Sequence, residues 1–171
     1  MNIVLYEPEM PANTGNIGRT CVATDTPLHL IEPLGFLLND KMVKRSGMDY
    51  WDRLKLTRHI DYSEFTAYWD DAASVDPDGP KLWYVTTKAQ KCYTDVSYGP
   101  DDYLMFGPES RGIPESIMRE HPERCIRIPM ASGERSLNLS NAVSIVLYEA
   151  LRQCGFEGLS IKSEDERKIT E

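Results

Sequence analysis

Five short apolar runs punctuate the chain: IVLY (3–6), LHLI (28–31), LWYV (82–85), YLMF (103–106) and CIRI (125–128), with KLTRHI (55–60) as a weaker sixth. Several are continuous rather than alternating. A strand of that kind has to be covered on both faces, which is the situation of a parallel sheet packed between helices. Helical candidates fill the intervals. Residues 14–25 follow Asn13, a good N-cap. Residues 63–73 start at Ser63, where the third residue on is Thr66 rather than the acid of a capping box. Residues 114–121 open with Pro114 at a first helical position. In 137–154, Leu139, Val143, Val146, Leu147, Ala150 and Leu151 make one broad stripe, and Gly155 ends it. The alternation predicts a single α/β domain over 1–156 with a mainly parallel sheet, followed by a charged tail, 157–171, expected to be flexible.

Composition narrows the function classes. A chain of 171 residues with 41% hydrophobic and 27% charged residues is ordinary globular material. No apolar run approaches the length of a membrane span. The start, MNIVLYEPEMP, lacks a basic n-region and does not read as a signal peptide. Cys21, Cys92, Cys125 and Cys154 are scattered, with no CxxC pair and no ligand spacing to His29, His59 or His121. They suit a reducing cytosol and point to neither a disulfide framework nor a zinc site. A net charge of −8 argues against a non-specific nucleic-acid coat. It leaves room for a local basic face: between Lys41 and His59 stand six basic residues (Lys41, Lys44, Arg45, Arg53, Lys55, Arg58) against Asp49 and Asp52, a local +4.

In open parallel sheets ligands sit beyond the carboxyl ends of the strands. Three predicted strands are followed there by unusually rich loops: EPEMPANTGNIGRT, GPESRGIP and PMASGERSLNLSNA. Glycine and proline are ordinary turn punctuation. Turns do not, however, require Asn13, Arg19, Glu109, Arg111, Ser136 and Asn138, which together look like a site. Familiar nucleotide and hydrolase signatures are missing. There is no G-x-G-x-x-G, no P-loop and no G-x-S-x-G elbow.

The segments N-T-G-N-I-G-R (13–19), L-M-F-G-P-E-S-R-G-I-P (104–114) and I-P-M-x-x-x-x-R-S-L-N-L-S-N-A (128–142) resemble the three motifs of the SPOUT superfamily of methyltransferases. The likeness is closest to the TrmL (YibK) type, which methylates the ribose 2′-oxygen of the wobble nucleotide, position 34, of tRNA. It extends over LHLIEPLGF (28–36), RSGMDYW (45–51) and VTTK (85–88). The resemblance implies a compact α/β fold with a C-terminal deep trefoil knot, S-adenosylmethionine as methyl donor and no metal. It further implies a homodimer, a tRNA substrate (leucine isoacceptors being expected) and neither DNA nor membrane as partner. By motif position it assigns Asn13, Arg19, Glu109, Ser136 and Asn138 to catalysis. Val85, Gly107, Gly112, Ile128, Ser136 and Leu137 fall to the donor, the two glycines by allowing close backbone approach. The RNA falls to Arg19, Lys44, Arg45 and Arg111, and the place of work is the cytoplasm.

The chemistry demanded is alignment of a hydroxyl oxygen, a methyl carbon and a sulfur. Arg19 is a poor base while charged, so gripping the adjacent phosphate and stabilising a developing alkoxide is as plausible for it as activating the hydroxyl. Glu109 is expected to orient Arg19 or to hold Arg135. Gly18, where relatives usually carry a bulkier aliphatic, predicts a looser first helix, and Glu134 adds an acid to the third loop. The residues also admit three other readings: the same chemistry on another tRNA or rRNA position, a non-catalytic knotted RNA-binding module, and a flavodoxin-like phosphate binder. The last lacks the three motifs.

Overall fold

A computed structural model describes residues 1–38, 50–73, 79–160 and 162. Seven strands form one sheet: β1 (Asn2–Tyr6), β2 (Leu28–Ile31), β3 (Leu56–His59), β4 (Leu82–Val85), β5 (Lys91–Cys92), β6 (Tyr103–Phe106) and β7 (Cys125–Arg127). Their order is β3-β2-β1-β6-β4-β7-β5, and every pairing is parallel. Among the described residues four α-helices cover it: α1 (Pro11–Ala23), α2 (Tyr62–Ala73), α3 (Glu115–Glu120) and α4 (Leu139–Gln153).

The continuous apolar runs divide residue by residue between the two faces, as side chains of a strand must. Ile3, Leu5, Leu28, Leu30, Leu104 and Phe106 pack with Ile17 and Cys21 of α1 and with Val143, Val146, Leu147, Ala150 and Leu151 of α4. Val4, Ile31, Tyr103 and Met105 pack with Phe65 of α2 and with Ile117 and Met118 of α3. Each large side chain buried this completely stabilises the fold by about 1.5–3 kcal/mol. The stripe expected on the last helix is therefore real, and Gly155, at φ +71°, ends it in the left-handed region.

Several expectations need correction. Helix α1 starts at Pro11, with Met10 as an N-cap that supplies no side-chain bond. Proline pre-sets the first helical φ and has no N–H to satisfy, so the helix begins before Asn13, whose side chain is left for other partners. Helix α2 is capped by Asp61 rather than Ser63. Asp61 Oδ1 accepts from Glu64 N at 2.8 Å, and Glu64 Oε2 accepts from Ile60 N at 2.6 Å. Pro114 is the N-cap of α3, one position before the helix. Strand β5 carries no apolar signature. Gly18 does not loosen α1: a Cβ there would stand 3.2 Å from the Trp51 ring and 3.3 Å from Leu54, so neighbouring side chains fill that space.

Asp102 is 2% exposed. Its carboxylate accepts from Lys81 N at 2.8 Å, Trp83 Nε1 at 2.8 Å and Gly99 N at 3.0 Å, at the amino ends of β4 and β6. Among the described residues no helix is long and apolar enough to cross a membrane. Most of the tail, like Lys44 and Arg45, lies outside the described residues.

Candidate active site

Strands β1 and β6 are neighbours at the middle of the sheet, and from them the chain departs into loops on the same, carboxyl edge. That places the first two motif loops side by side in the crevice where open α/β sheets bind ligands. Helix α4 packs against α1 and brings the third motif to the same place.

Three side chains join the loops directly. Asn13, 5% exposed, donates from Nδ2 to Glu109 Oε1 at 2.9 Å. Its Oδ1 accepts from Asn138 Nδ2 at 3.0 Å. Glu109 Oε2 accepts from Glu9 N at 2.9 Å. Asn138 is also the N-cap of α4: its Oδ1 accepts from Ser140 N at 2.9 Å and Asn141 N at 3.3 Å. With its oxygen turned to the helix and its amide to Asn13, Asn138 fixes the helix start and the loop junction together. The two oxygens of Glu109 are thus taken up by Asn13 and the Glu9 backbone, where Arg19 or Arg135 had been expected.

A second set of carboxylates reinforces the joint. Ser110 donates to Glu9 from N at 3.0 Å and from Oγ at 2.7 Å. These bonds hold the Glu9 carboxyl below the ordinary carboxylate range. Arg111, expected on the RNA, is ion-paired with Glu7, a residue held at φ +46°. A non-glycine residue in that region is uncommon and persists where its surroundings fix it. Glu7 and Glu9 escaped sequence reasoning; the available signal was the pair of acids flanking Pro8 directly after β1.

Arg19 is exposed on α1, with its Cζ 5.0 Å from the centre of the Tyr50 ring. Ser136 and Leu137 are exposed on the third loop, while Val85 and Ile128 are half-buried at the ends of β4 and β7. Among the described residues Ser136 makes no side-chain hydrogen bond. The two glycines differ sharply. A Cβ on Gly107 would lie 2.2 Å from Gly112 C and from Ile113 N, so this glycine is required by the chain's own backbone. Gly112, at φ +69°, faces open space.

The donor set suits a nucleoside carrying a cationic group. Between residues 129 and 137, among the described residues, the backbone makes one hydrogen bond to itself, Glu134 N to Ala131 O at 3.2 Å. The other amides and carbonyls of that loop make no backbone hydrogen bond and are left for other partners, with Ile128 and Leu137 flanking them in the chain. The carboxylates of Glu9 and Glu109, joined to the third loop through Asn13, favour positive charge. Among the described residues no cluster of three or more histidine, cysteine or acidic side chains could hold a metal ion.

The arrangement has known counterparts. A solved structure from Bacillus anthracis superposes with a TM-score of 0.85 at 44% identity, over 95% of this chain and 99% of that one. Another, described under "Structural insights into the 2-OH methylation of C/U34 on tRNA", superposes with a TM-score of 0.78 at 40% identity, over 90% and 95%. The Escherichia coli (strain K12) tRNA (cytidine(34)-2′-O)-methyltransferase is 49% identical over 164 residues, 95% of this chain and 99% of its own. Residues 1–148, which hold all three loops, match the SpoU rRNA methylase family, and the chain belongs to that family.

Proposed function

We propose that this protein methylates the ribose 2′-oxygen of nucleotide 34, the wobble position, of tRNA, using S-adenosylmethionine and acting on leucine isoacceptors. The observation that carries the reading is the Glu109–Asn13–Asn138 chain of hydrogen bonds, which locks three loops from distant parts of the sequence at the start of the helix that carries Arg19. Near-full-length identity to a relative named for that reaction supports it.

The residues divide the work. S-adenosylmethionine, when bound, would supply an electrophilic methyl group, its sulfonium becoming a neutral thioether. Main-chain groups at Val85, Ile128 and Leu137, with Gly112 and Ser136, hold the donor. Gly107 serves only to let the second loop close on itself. Asn13, Glu109 and Asn138 fix the loops against one another, which is positioning rather than proton transfer. Arg19 is permanently charged. Its role is to grip the neighbouring phosphate and stabilise the oxygen as its proton passes to solvent water. Lys44 and Arg45 extend the RNA face. Arg111 is already neutralised by Glu7, so it organises the second loop, and a phosphate reaches it only by displacing that carboxylate.

The knot that the family resemblance implies belongs to this proposal, as do a cytoplasmic location and a homodimer. Ile145, 38% exposed, and Tyr148, 47% exposed, lie on the side of α4 turned away from its buried stripe and suit a partner helix. Sedimentation at micromolar concentration is expected to show a species of twice 19.5 kDa, and a 19.5 kDa species alone would refute the dimer. The functional test is Arg19→Ala. Methyl transfer to tRNA is expected to fall about 100-fold or more while donor affinity stays near wild type. Wild-type turnover by this variant would remove the assignment.

A further inference from the structure

Tyr50 reaches the site from outside the three motif loops. Its ring lies against the Arg19 guanidinium, 5.0 Å from Cζ to the ring centre. Its hydroxyl donates to the Gly15 carbonyl at 2.6 Å, and the residue is 4% exposed. The residues that follow press on the same helix. Trp51 and Leu54 close over Gly18, where a Cβ would come within 3.2 Å and 3.3 Å of them. One short segment therefore grips α1 at Gly15, Gly18 and Arg19, positions three and four apart that share a helical face. The phenol is anchored at its far end by a backbone carbonyl, and the residue is buried. Its face is therefore fixed and offers the ring quadrupole to an otherwise exposed arginine.

We propose that Tyr50 is the positioning residue for Arg19: its ring holds the guanidinium in one orientation toward the RNA, while its hydroxyl keeps the ring in register with α1. The proposal rests on the reading of Arg19 given above. An exposed arginine has many rotamers, and those that face away from the target oxygen contribute nothing to the reaction. A fixed aromatic face removes them before RNA arrives. A filler of the core would be indifferent to the electron density of its ring, whereas a positioning residue acting through a cation is not.

The test is single-turnover methyl transfer to tRNA with saturating protein and donor. Tyr50→Leu is expected to lower the rate about 10-fold, the effect of losing a partly desolvated cation–π contact, with the donor dissociation constant unchanged. Tyr50→Phe keeps the face and loses the anchor, so it should fall by no more than about threefold. Placing 3,4,5-trifluorophenylalanine at position 50 keeps the shape of phenylalanine while draining the ring face, and its rate should lie several-fold below that of Tyr50→Phe. This comparison decides the matter even where Tyr50→Leu does not fold. In an Arg19→Ala background the same replacements should leave the residual rate unchanged, since no guanidinium remains to be held. Equal rates for the phenylalanine and trifluorophenylalanine proteins overturn the proposal, as does the same loss with and without Arg19. Wild-type turnover by Arg19→Ala alone would overturn the reading of Arg19 and this proposal with it. An inactive Arg19→Ala beside an indifferent position 50 would overturn this proposal alone.

Discussion

Asn13→Ala removes the side chain on which the three loops converge. The wild-type amide gives one hydrogen bond to a carboxylate, Glu109, at 2.9 Å and accepts one from a neutral amide, Asn138, at 3.0 Å. Bonds to charged groups contribute about 1.5–3 kcal/mol and neutral ones about 0.5–1.5 kcal/mol, so complete loss would cost about 2–4.5 kcal/mol. Glu109 is half-buried and Asn138 exposed, so water replaces part of what is lost, and the expected cost is about 2 kcal/mol. For a chain of this size that lowers Tm by about 4–8 °C. Asn13→Asp should cost at least as much, because it sets a second carboxylate where the amide met Glu109. Thermal melts of the three proteins at pH 7 and low salt, read alongside donor binding by calorimetry, measure both consequences. The loops proposed to hold the donor are the ones released, so donor affinity should fall with Tm. An Asn13→Ala protein that melts within about 1 °C of wild type and binds donor equally well would refute the claim that this side chain locks the loops.

Three further perturbations have definite outcomes. Gly107→Ala should prevent folding, because its Cβ would meet backbone atoms at 2.2 Å, while Gly112→Ala should fold with a penalty of about 1–2 kcal/mol for a left-handed alanine; soluble yield and melting separate them. His29 is stacked on His59, with Nδ1 and Nε2 3.1 Å apart, and burial, then the neighbouring imidazole, brings its pKa down to about 4. The unfolded chain therefore takes up a proton near pH 6.5 that the folded chain refuses until about pH 4, so stability should fall as pH drops through that window, and His29→Phe should flatten the slope in a melting series. Lys44→Ala with Arg45→Ala should raise the KM for tRNA and flatten its salt dependence with little change in donor affinity; wild-type affinity across the salt series would move the RNA face elsewhere.

Strands β2, β4 and β6 were legible to the residue, because a parallel strand covered on both faces has to be apolar throughout. Strand β5 was not. Two residues, one of them lysine, pair with β7 because the neighbouring strand is there, and no local pattern records that. The start of α1 was misjudged because two cap signals competed: Pro11 acts through its own backbone, whereas Asn13 gives its side chain to groups about a hundred residues away. The cap of α2 is legible as D-x-x-E at Asp61–Glu64; Ser63 stands two residues later, already inside the first turn of the helix. At the site, Asn13, Glu109 and Asn138 could be read from their loops, but their mutual bonds could not. Glu7, Glu9 and Tyr50 act only through tertiary contacts. The pairing of Arg111 with Glu7 shows the limit of counting charge along a sequence, since a cation given to RNA on that basis is already neutralised in space.

The most direct test of the account is a single map of the product. Unmodified tRNA transcripts and total tRNA from a deletion strain, incubated with the protein and S-adenosylmethionine carrying a labelled methyl group, are digested and sequenced for 2′-O-methylation. The account predicts one labelled methyl per accepted tRNA, on the ribose of nucleotide 34, dependent on Arg19. Label on a base, on another nucleotide, or on no RNA at all would contradict it.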